Sequence, residues 1–181
     1  VEETTLYYAE FESPIGPLLI INDGNSMLRI DYGTLEELEK KLLKWANRYF
    51  KKIHFLHYPE TCIEVIDQLK EYFKGERKTF TFEKTIYGTD FQKMVWEKLS
   101  DGIPYGETKT YKEIGEMIDN PAAVRAIGRA VNKNPFSIVI PCHRVIGSNG
   151  KLIGYNGGLD KKKFLLNHEQ TYKNVLNETD K

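Results

Sequence analysis

Cys142, His143 and Arg144 stand side by side in the stretch NPFSIVIPCHRVIGSNG, residues 134–150, directly after an apolar run and Pro141. A thiol attacks only as its thiolate, and with an ordinary pKa of about 8.5 only a few per cent is ionised at neutral pH. His143 is the nearest base that could take the proton. Neighbouring side chains on an extended strand point to opposite faces, so a turn between Pro141 and Gly147 is needed, with a water bridging thiol and imidazole. The imidazole also needs a partner that fixes its tautomer. The carboxylates beyond the site are Asp160, Glu169, Glu178 and Asp180, and Glu169 in the amphipathic stretch KKKFLLNHEQ would complete a Cys–His–Glu relay. Such a relay also suits a hydrolase acting on acyl substrates. The bland alternative is a cysteine that only packs.

The composition narrows the setting. The chain has 181 residues, 40% hydrophobic and 29% charged, as expected of a globular protein with one sizeable core or two small ones. Two cysteines 80 positions apart make neither a disulfide framework nor a zinc site. Val1-Glu2-Glu3 lacks the basic and apolar segments of a signal peptide, and no apolar stretch approaches a membrane span, so the expected compartment is a reducing cytoplasm. The formal net charge is zero, but it is uneven. Residues 1–88 carry 12 Lys/Arg against 15 Asp/Glu, and residues 89–181 carry 14 against 11. No acidic residue occurs between Asp119 and Asp160, where Arg125, Arg129, Lys133, Arg144 and Lys151 fall. A local positive surface steers a polyanion better than total charge does.

The elements that must position these groups read as two halves. TLYYAEFES, GPLLIIND and SMLRIDY are strand-like, and Thr34 with Glu37 forms a capping box for a helix carrying Leu35, Leu38, Leu42 and Trp45. A second helix over about 60–73 carries Cys62, Ile63, Ile66, Leu69 and Phe73, with Cys62 as core packing; residues 76–88 are a strand and linker. In the second half, DFQKMVWEKLSDG is a helix with Phe91, Val95, Trp96 and Leu99 inward. Two further helices follow with a tight joint, a helix-turn-helix pattern. Thr110 and Glu113 box the first; Asn120 caps the second with Pro121 at its first position, and Asn134-Pro135 stops it. Arg125, Arg129 and Lys133 recur every four residues as a basic stripe, while Ala122, Ala123, Ala126, Gly128 and Ala130 keep that helix thin. Gly128 costs a helix roughly 1 kcal/mol relative to Ala, which a close approach would offset. In the last helix Phe164 and Leu165 dock on the core.

IPCHRVIGSNG closely resembles the active-site segment of the O6-alkylguanine-DNA alkyltransferases, whose hallmark is Pro-Cys-His-Arg-Val. IPYGETKTYKEI, RAIGRAVNKNP and GYNGGLDKKKFLLNHE resemble further blocks of that family in order, and SPIGPLLI and QLKEYFKGERKTF resemble its N-terminal part, covering about residues 4–170. The resemblance implies an α/β, ribonuclease H-like N-terminal domain with a small antiparallel sheet (1–88). A mostly α, winged-helix-like C-terminal domain with a helix-turn-helix (89–170) and a polar tail (171–181) would follow. It implies stoichiometric transfer of the alkyl group from O6-alkylguanine, and from O4-alkylthymine, after base flipping. The expected partner is double-stranded DNA, bound through its minor groove by a monomer.

By the same resemblance Cys142 is the acceptor, His143 takes its proton through water, Glu169 orients His143, and Asn134 braces the turn. The carbonyls of Cys142 and Val145 read the guanine amino group, Tyr111 donates towards N3, and the Tyr155-Asn156 loop closes the pocket. Arg125 fills the vacated stack, with Arg129, Ala126, Gly128 and Tyr111 also at the DNA. Ser137, where some relatives carry Pro, and Asn156, where others carry Ser, bear on tolerance for bulky alkyl groups. Arg144 is left between a structural and a phosphate-binding role. Some members hold zinc in the N-terminal domain; with only Cys62 available there, no metal and no cofactor are expected. A related branch of non-enzymatic damage binders replaces the acceptor cysteine, and Cys142 argues against it.

Overall fold

The computed structural model describes residues 3–175. Three strands, β1 (Thr4–Ser13), β2 (Gly16–Asn22) and β3 (Met27–Tyr32), form an antiparallel meander. The sheet is mixed, because a short strand β4 (Ile53–His57), unmarked in the sequence, adds parallel to β1 and gives the order β3-β2-β1-β4. Helix α1 (Leu35–Ala46), started by the expected Thr34–Glu37 capping box, makes the crossover that a parallel pairing requires.

The period of two along β2 divides the interior, and the register shift between Ile21 and Asn22 turns Leu28 of β3 to the face opposite Ile30. Leu18, Ile20 and Ile30 face the main core, whereas Leu19, Ile21 and Leu28 face a smaller one closed by Leu42 and Ala46 of α1. Helix α2 (Ile63–Phe73) lies against the main core through Val65, Leu69 and Tyr72, after a 3-10 turn over Pro59–Cys62. Cys62 is fully buried, but Ile63 is 55% exposed, because it begins the α-helix on its outer side. Residues 76–88 form no strand of the sheet. They touch the edge of β3 at one bridge, with Met27 N–H donating to Glu83 O and Thr85 N–H to Met27 O, both at 2.9 Å.

The second half is helical: α3 (Asp90–Gly102), α4 (Tyr111–Met117), α5 (Val124–Asn132) and α6 (Leu159–Tyr172). Two-residue strands β5 (Lys109–Thr110) and β6 (Val145–Ile146) pair in parallel, which fixes the start of α4 beside the segment after Cys142. The joint between α4 and α5 departs from the sequence expectation. Asn120 does not cap α5; it closes α4. Asp119 takes a left-handed φ of 56°, Asp119 N–H bonds Glu116 O at 3.1 Å, and Asn120 N–H bonds Gly115 O at 2.8 Å. That is a Schellman ending, and α5 therefore restarts only at Val124, with no side-chain cap. Gly115 suits this joint, since a Cβ would stand in tight contact, 3.1 Å from Asn120 O and 3.2 Å from Pro121 Cα. In α6, Leu165 docks as expected but Phe164 is 38% exposed; Lys162 and Glu169 take the buried face instead. The polar tail assigned to 171–181 begins inside α6, and 176–181 lie outside the described residues.

The halves are joined at the free edge of β3. Ile30 N–H donates to Pro135 O at 2.9 Å and Ser137 N–H to Ile30 O at 3.0 Å, so the segment before Cys142 continues the sheet for one residue. Phe136, between them, is fully buried in the main core, which draws side chains from both halves. Among the described residues no helix is long and apolar enough to cross a membrane.

Phe136→Ala should therefore lower the unfolding free energy by about 3–5 kcal/mol. Denaturant melts followed by far-UV circular dichroism and by tryptophan fluorescence should move together. A loss under about 1 kcal/mol, or two separated transitions, would contradict a shared core.

Candidate active site

Residues 142–144 form the turn that the Cys-His pair needs, a single 3-10 turn after Pro141. Cys142 N–H donates to Ile140 O at 2.7 Å and Arg144 N–H to Pro141 O at 3.0 Å. Asn134 holds this bend from outside. Its Nδ2 donates to Ile140 O at 2.9 Å and its Oδ1 accepts from Phe136 N–H at 2.8 Å. Between these anchors Ile138 has a φ of 73°, a left-handed conformation that a β-branched residue adopts only when packing imposes it, and Ile138 is buried.

Glu169 is the centre of the polar network. It is 1% exposed, and its Oε2 accepts from His143 Nε2 at 2.6 Å, from the Tyr72 hydroxyl at 2.6 Å and from Arg144 NH2 at 3.1 Å. Oε1 accepts from Arg144 Nε at 2.7 Å. Burial alone would raise the Glu169 pKa; the adjoining His143 and Arg144 overcome it and hold the carboxyl well below the usual carboxylate range. Arg144 also reaches Ile103 O at 2.7 Å. Of the two roles left open for it, the buried guanidinium is spent on structure. His143 is fully buried, and burial pushes its pKa down, helped by Arg144 and Lys162 and opposed by Glu169. The imidazole is neutral, with Nε2–H on the carboxylate. Its other nitrogen, Nδ1, is buried without a hydrogen-bond partner among the described residues, a free lone pair. Burial pushes the Cys142 thiol up; the neighbouring Asn134 side chain and the charge of Lys162 oppose it.

Around this centre, Lys162 is completely buried beneath the loop after Cys142 and donates to Val145 O at 2.5 Å and Ile153 O at 3.1 Å. Burial lowers its pKa to about 8, against the pull of Cys142. Tyr155 meets Tyr32 of β3 hydroxyl to hydroxyl at 2.6 Å, so the first half of the chain latches the loop. Tyr111, the first residue of α4, is half-buried, and burial together with the charge of a Cys142 thiolate pushes its phenol up, keeping the proton on. Ser137 is buried at the β3 edge, and Asn156 is exposed in a cleft towards α1.

Of the residues expected at DNA, Arg125, Ala126, Gly128 and Arg129 lie on α5 and Tyr111 opens α4. Arg125 and Arg129 are exposed, and Ala126 and Gly128 half-buried. A Cβ on Gly128 would meet nothing within 4 Å, so none of the described residues makes the close approach that would offset the glycine. Three residues of the centre carry no local signal in the sequence: Tyr72, Lys162 and Tyr32. Each matters through a partner at least 17 positions away. Among the described residues no three His, Cys, Asp or Glu side chains converge to hold a metal ion.

Residues 90–171 match the family of the 6-O-methylguanine DNA methyltransferase DNA-binding domain, and residues 6–86 that of its ribonuclease-like domain. A methylated-DNA–protein-cysteine methyltransferase of Methanosarcina acetivorans is 46% identical over 91% of this chain and 98% of its own. The crystal structure of Mycobacterium tuberculosis OGT in complex with DNA is 40% identical, covers 92% of this chain and 94% of that one, and superposes with a TM-score of 0.78. The M. tuberculosis O6-methylguanine methyltransferase structure superposes with a TM-score of 0.81 at 38% identity, covering 94% and 96%.

The buried network makes stability sensitive to acid, and the sign follows from both groups. Glu169 stabilises the fold while ionised, and that contribution is lost as pH falls through and below the carboxylate range. His143 stays neutral in the fold but takes a proton in the unfolded chain below about pH 6.5, which also favours unfolding. The melting temperature should fall below about pH 6.5, where only the unfolded chain protonates His143, and fall further below about pH 4, where the Glu169 contribution is lost; Glu169→Gln should lack that second fall. A melting temperature at pH 5 equal to or above that at pH 7 would contradict it.

Proposed function

The chain belongs to the 6-O-methylguanine DNA methyltransferase family and repairs DNA directly by moving the alkyl group of O6-alkylguanine onto a cysteine of its own, and we propose that this acceptor is Cys142. The observation that carries the assignment is the buried thiol next in sequence to an imidazole whose Nε2 is tied to Glu169 and whose Nδ1 has a free lone pair.

The target base leaves the duplex, because an O6 atom inside the stack cannot meet a buried sulfur. His143 Nδ1 accepts the thiol proton through a water, and Glu169 stabilises the resulting imidazolium. Sγ attacks the alkyl carbon, an S–C bond forms, and the C–O6 bond breaks with its electron pair going to the guanine. The Tyr111 hydroxyl donates towards N3, so the base departs neutral. The thioether has no hydrolytic exit, so one protein molecule serves one lesion. The Cys142 and Val145 carbonyls receive the guanine amino group. Each already accepts one hydrogen bond, from Val145 N–H and Lys162 respectively, and each keeps a second lone pair. Asn134 braces the turn, Ser137 and Asn156 border the pocket, and the Tyr155 latch closes it. O4-alkylthymine offers the same alkyl–oxygen bond.

The DNA-binding face is α5. Its open Ala126 and Gly128 surface suits the narrow minor groove, Arg129 serves the phosphates, and Arg125 in the first turn fills the gap left by the flipped base. All groups of the site come from one chain, which supports action as a monomer. Two free buried cysteines support a reducing compartment such as the cytoplasm. An acyl hydrolase would have no use for this open helix face, and a non-enzymatic binder none for the relay.

Intact-protein mass after mixing with excess duplex carrying one O6-methylguanine tests the assignment. We expect a single gain of one methylene, kept in Cys62→Ala and lost in Cys142→Ala. No gain with the damaged duplex still bound, or a gain that survives in Cys142→Ala, would overturn it.

A further inference from the structure

A cleft of about 410 Å³ opens between α1 and the second half of the chain, and Cys142 is not part of its lining. One wall is the outer side of α1 and the turn after it, with Lys41, Lys44, Trp45 and Arg48; the other includes Asn132 and Lys133 at the end of α5. Among the described residues no acidic side chain lines it. Among the described residues Lys41, Lys44, Arg48 and Lys133 make no ion pair. Arg29, also in the lining, is already held by both oxygens of Asp31 at 2.8 Å, and its guanidinium lies 4.9 Å from the centre of the Trp45 ring. Trp45 is further fixed edge-on by Tyr87 at 6.3 Å. The cleft thus offers a preset aromatic surface next to four cations with no partner, enclosed to the size of small-molecule sites, about 300–1,000 Å³.

We propose that this cleft is a nucleotide site, with the base against Trp45 and Tyr87 and the phosphate on Lys44, Arg48 and Lys133. Aromatic stacking takes any base, and the unpaired cations supply the phosphate contacts. A neutral apolar ligand would leave the cations unused, and inorganic phosphate would leave the rings unused. Lys133 belongs to both the cleft and the basic stripe of α5, so a nucleotide of a DNA strand running off that helix reaches it as readily as a free nucleotide does. Asn156 lines the same cleft, so an occupant touches the loop that carries Tyr155. The proposal does not depend on the transfer reaction, and its test reads binding alone.

Both tryptophans of the chain, Trp45 and Trp96, line the cleft, so intrinsic fluorescence reports its occupancy. The full chain is titrated with thymidine 5′-triphosphate, with a single-stranded oligothymidylate and with thymidine. Saturable quenching by the triphosphate, weakened at least about tenfold in Lys44→Glu/Arg48→Glu, supports a site for free nucleotides. Quenching by the oligonucleotide alone, weakened in the same variant, supports a nucleotide within a strand. Both side chains are exposed, so the variant should melt like the parent. Should it not, Lys133→Ala on the opposite wall reads the same loss. No saturable response to either ligand, equal quenching by thymidine, or quenching indifferent to all these substitutions would overturn the proposal.

Discussion

A single buried carboxylate sets the geometry on which the rest depends. Glu169 is almost completely withdrawn from water, which would cost several kcal/mol for an uncompensated ion. It is compensated by His143, Arg144 and Tyr72, which come from the 142–144 turn and from α2, while Glu169 itself belongs to α6. Removing the carboxylate takes their partner from the buried Tyr72 hydroxyl and His143 Nε2, and removing Arg144 leaves Oε1 without its donor, so the elements cannot shift independently. The same carboxylate fixes which nitrogen of His143 carries the proton. The tie that orders three segments of the chain therefore also decides the chemistry available to Cys142.

The first half of the chain is part of the site. The exposed edge of β3 would be a liability on a free sheet, and here it pairs with residues 135 and 137, just before the apolar run that leads to Cys142. Tyr32 at the end of the same strand latches Tyr155, and Tyr72 of α2 reaches Glu169. These contacts hold the acceptor turn on both sides of a strained Ile138, a backbone conformation that the turn could not keep alone. The α4–α5 corner is positioned by β5–β6, which aligns the start of α4, and with it Tyr111, against the segment leaving the Cys142 turn.

What was legible in the sequence was local. The capping boxes at Thr34 and Thr110 form as their spacing requires, because N-cap and N3 positions interact within one turn. The turn at Cys142 and the inward face of α3 follow from Pro141 and from helical periodicity in the same way. Asn120 was misleading because the same residue type serves two ends: beside a left-handed Asp119 it closes α4 rather than opening α5. The parallel β4, the β3 edge pairing, and the contributions of Tyr72, Lys162 and Tyr32 were not legible. All are long-range, and Lys162 reads as an ordinary surface lysine in KKK until the fold buries it under three backbone carbonyls.

The role given to Glu169 is tested most directly by the single-turnover rate of alkyl transfer from an O6-methylguanine duplex at saturating protein, in the parent and in Glu169→Gln. Affinity for undamaged duplex is measured in parallel to show that the α5 face is intact. The rate constant should fall about 10²-fold or more, the scale of a lost general-base contribution, with DNA affinity within about twofold of the parent. A folded Glu169→Gln that transfers the alkyl group within about threefold of the parent rate would contradict the dependence of Cys142 on the buried carboxylate.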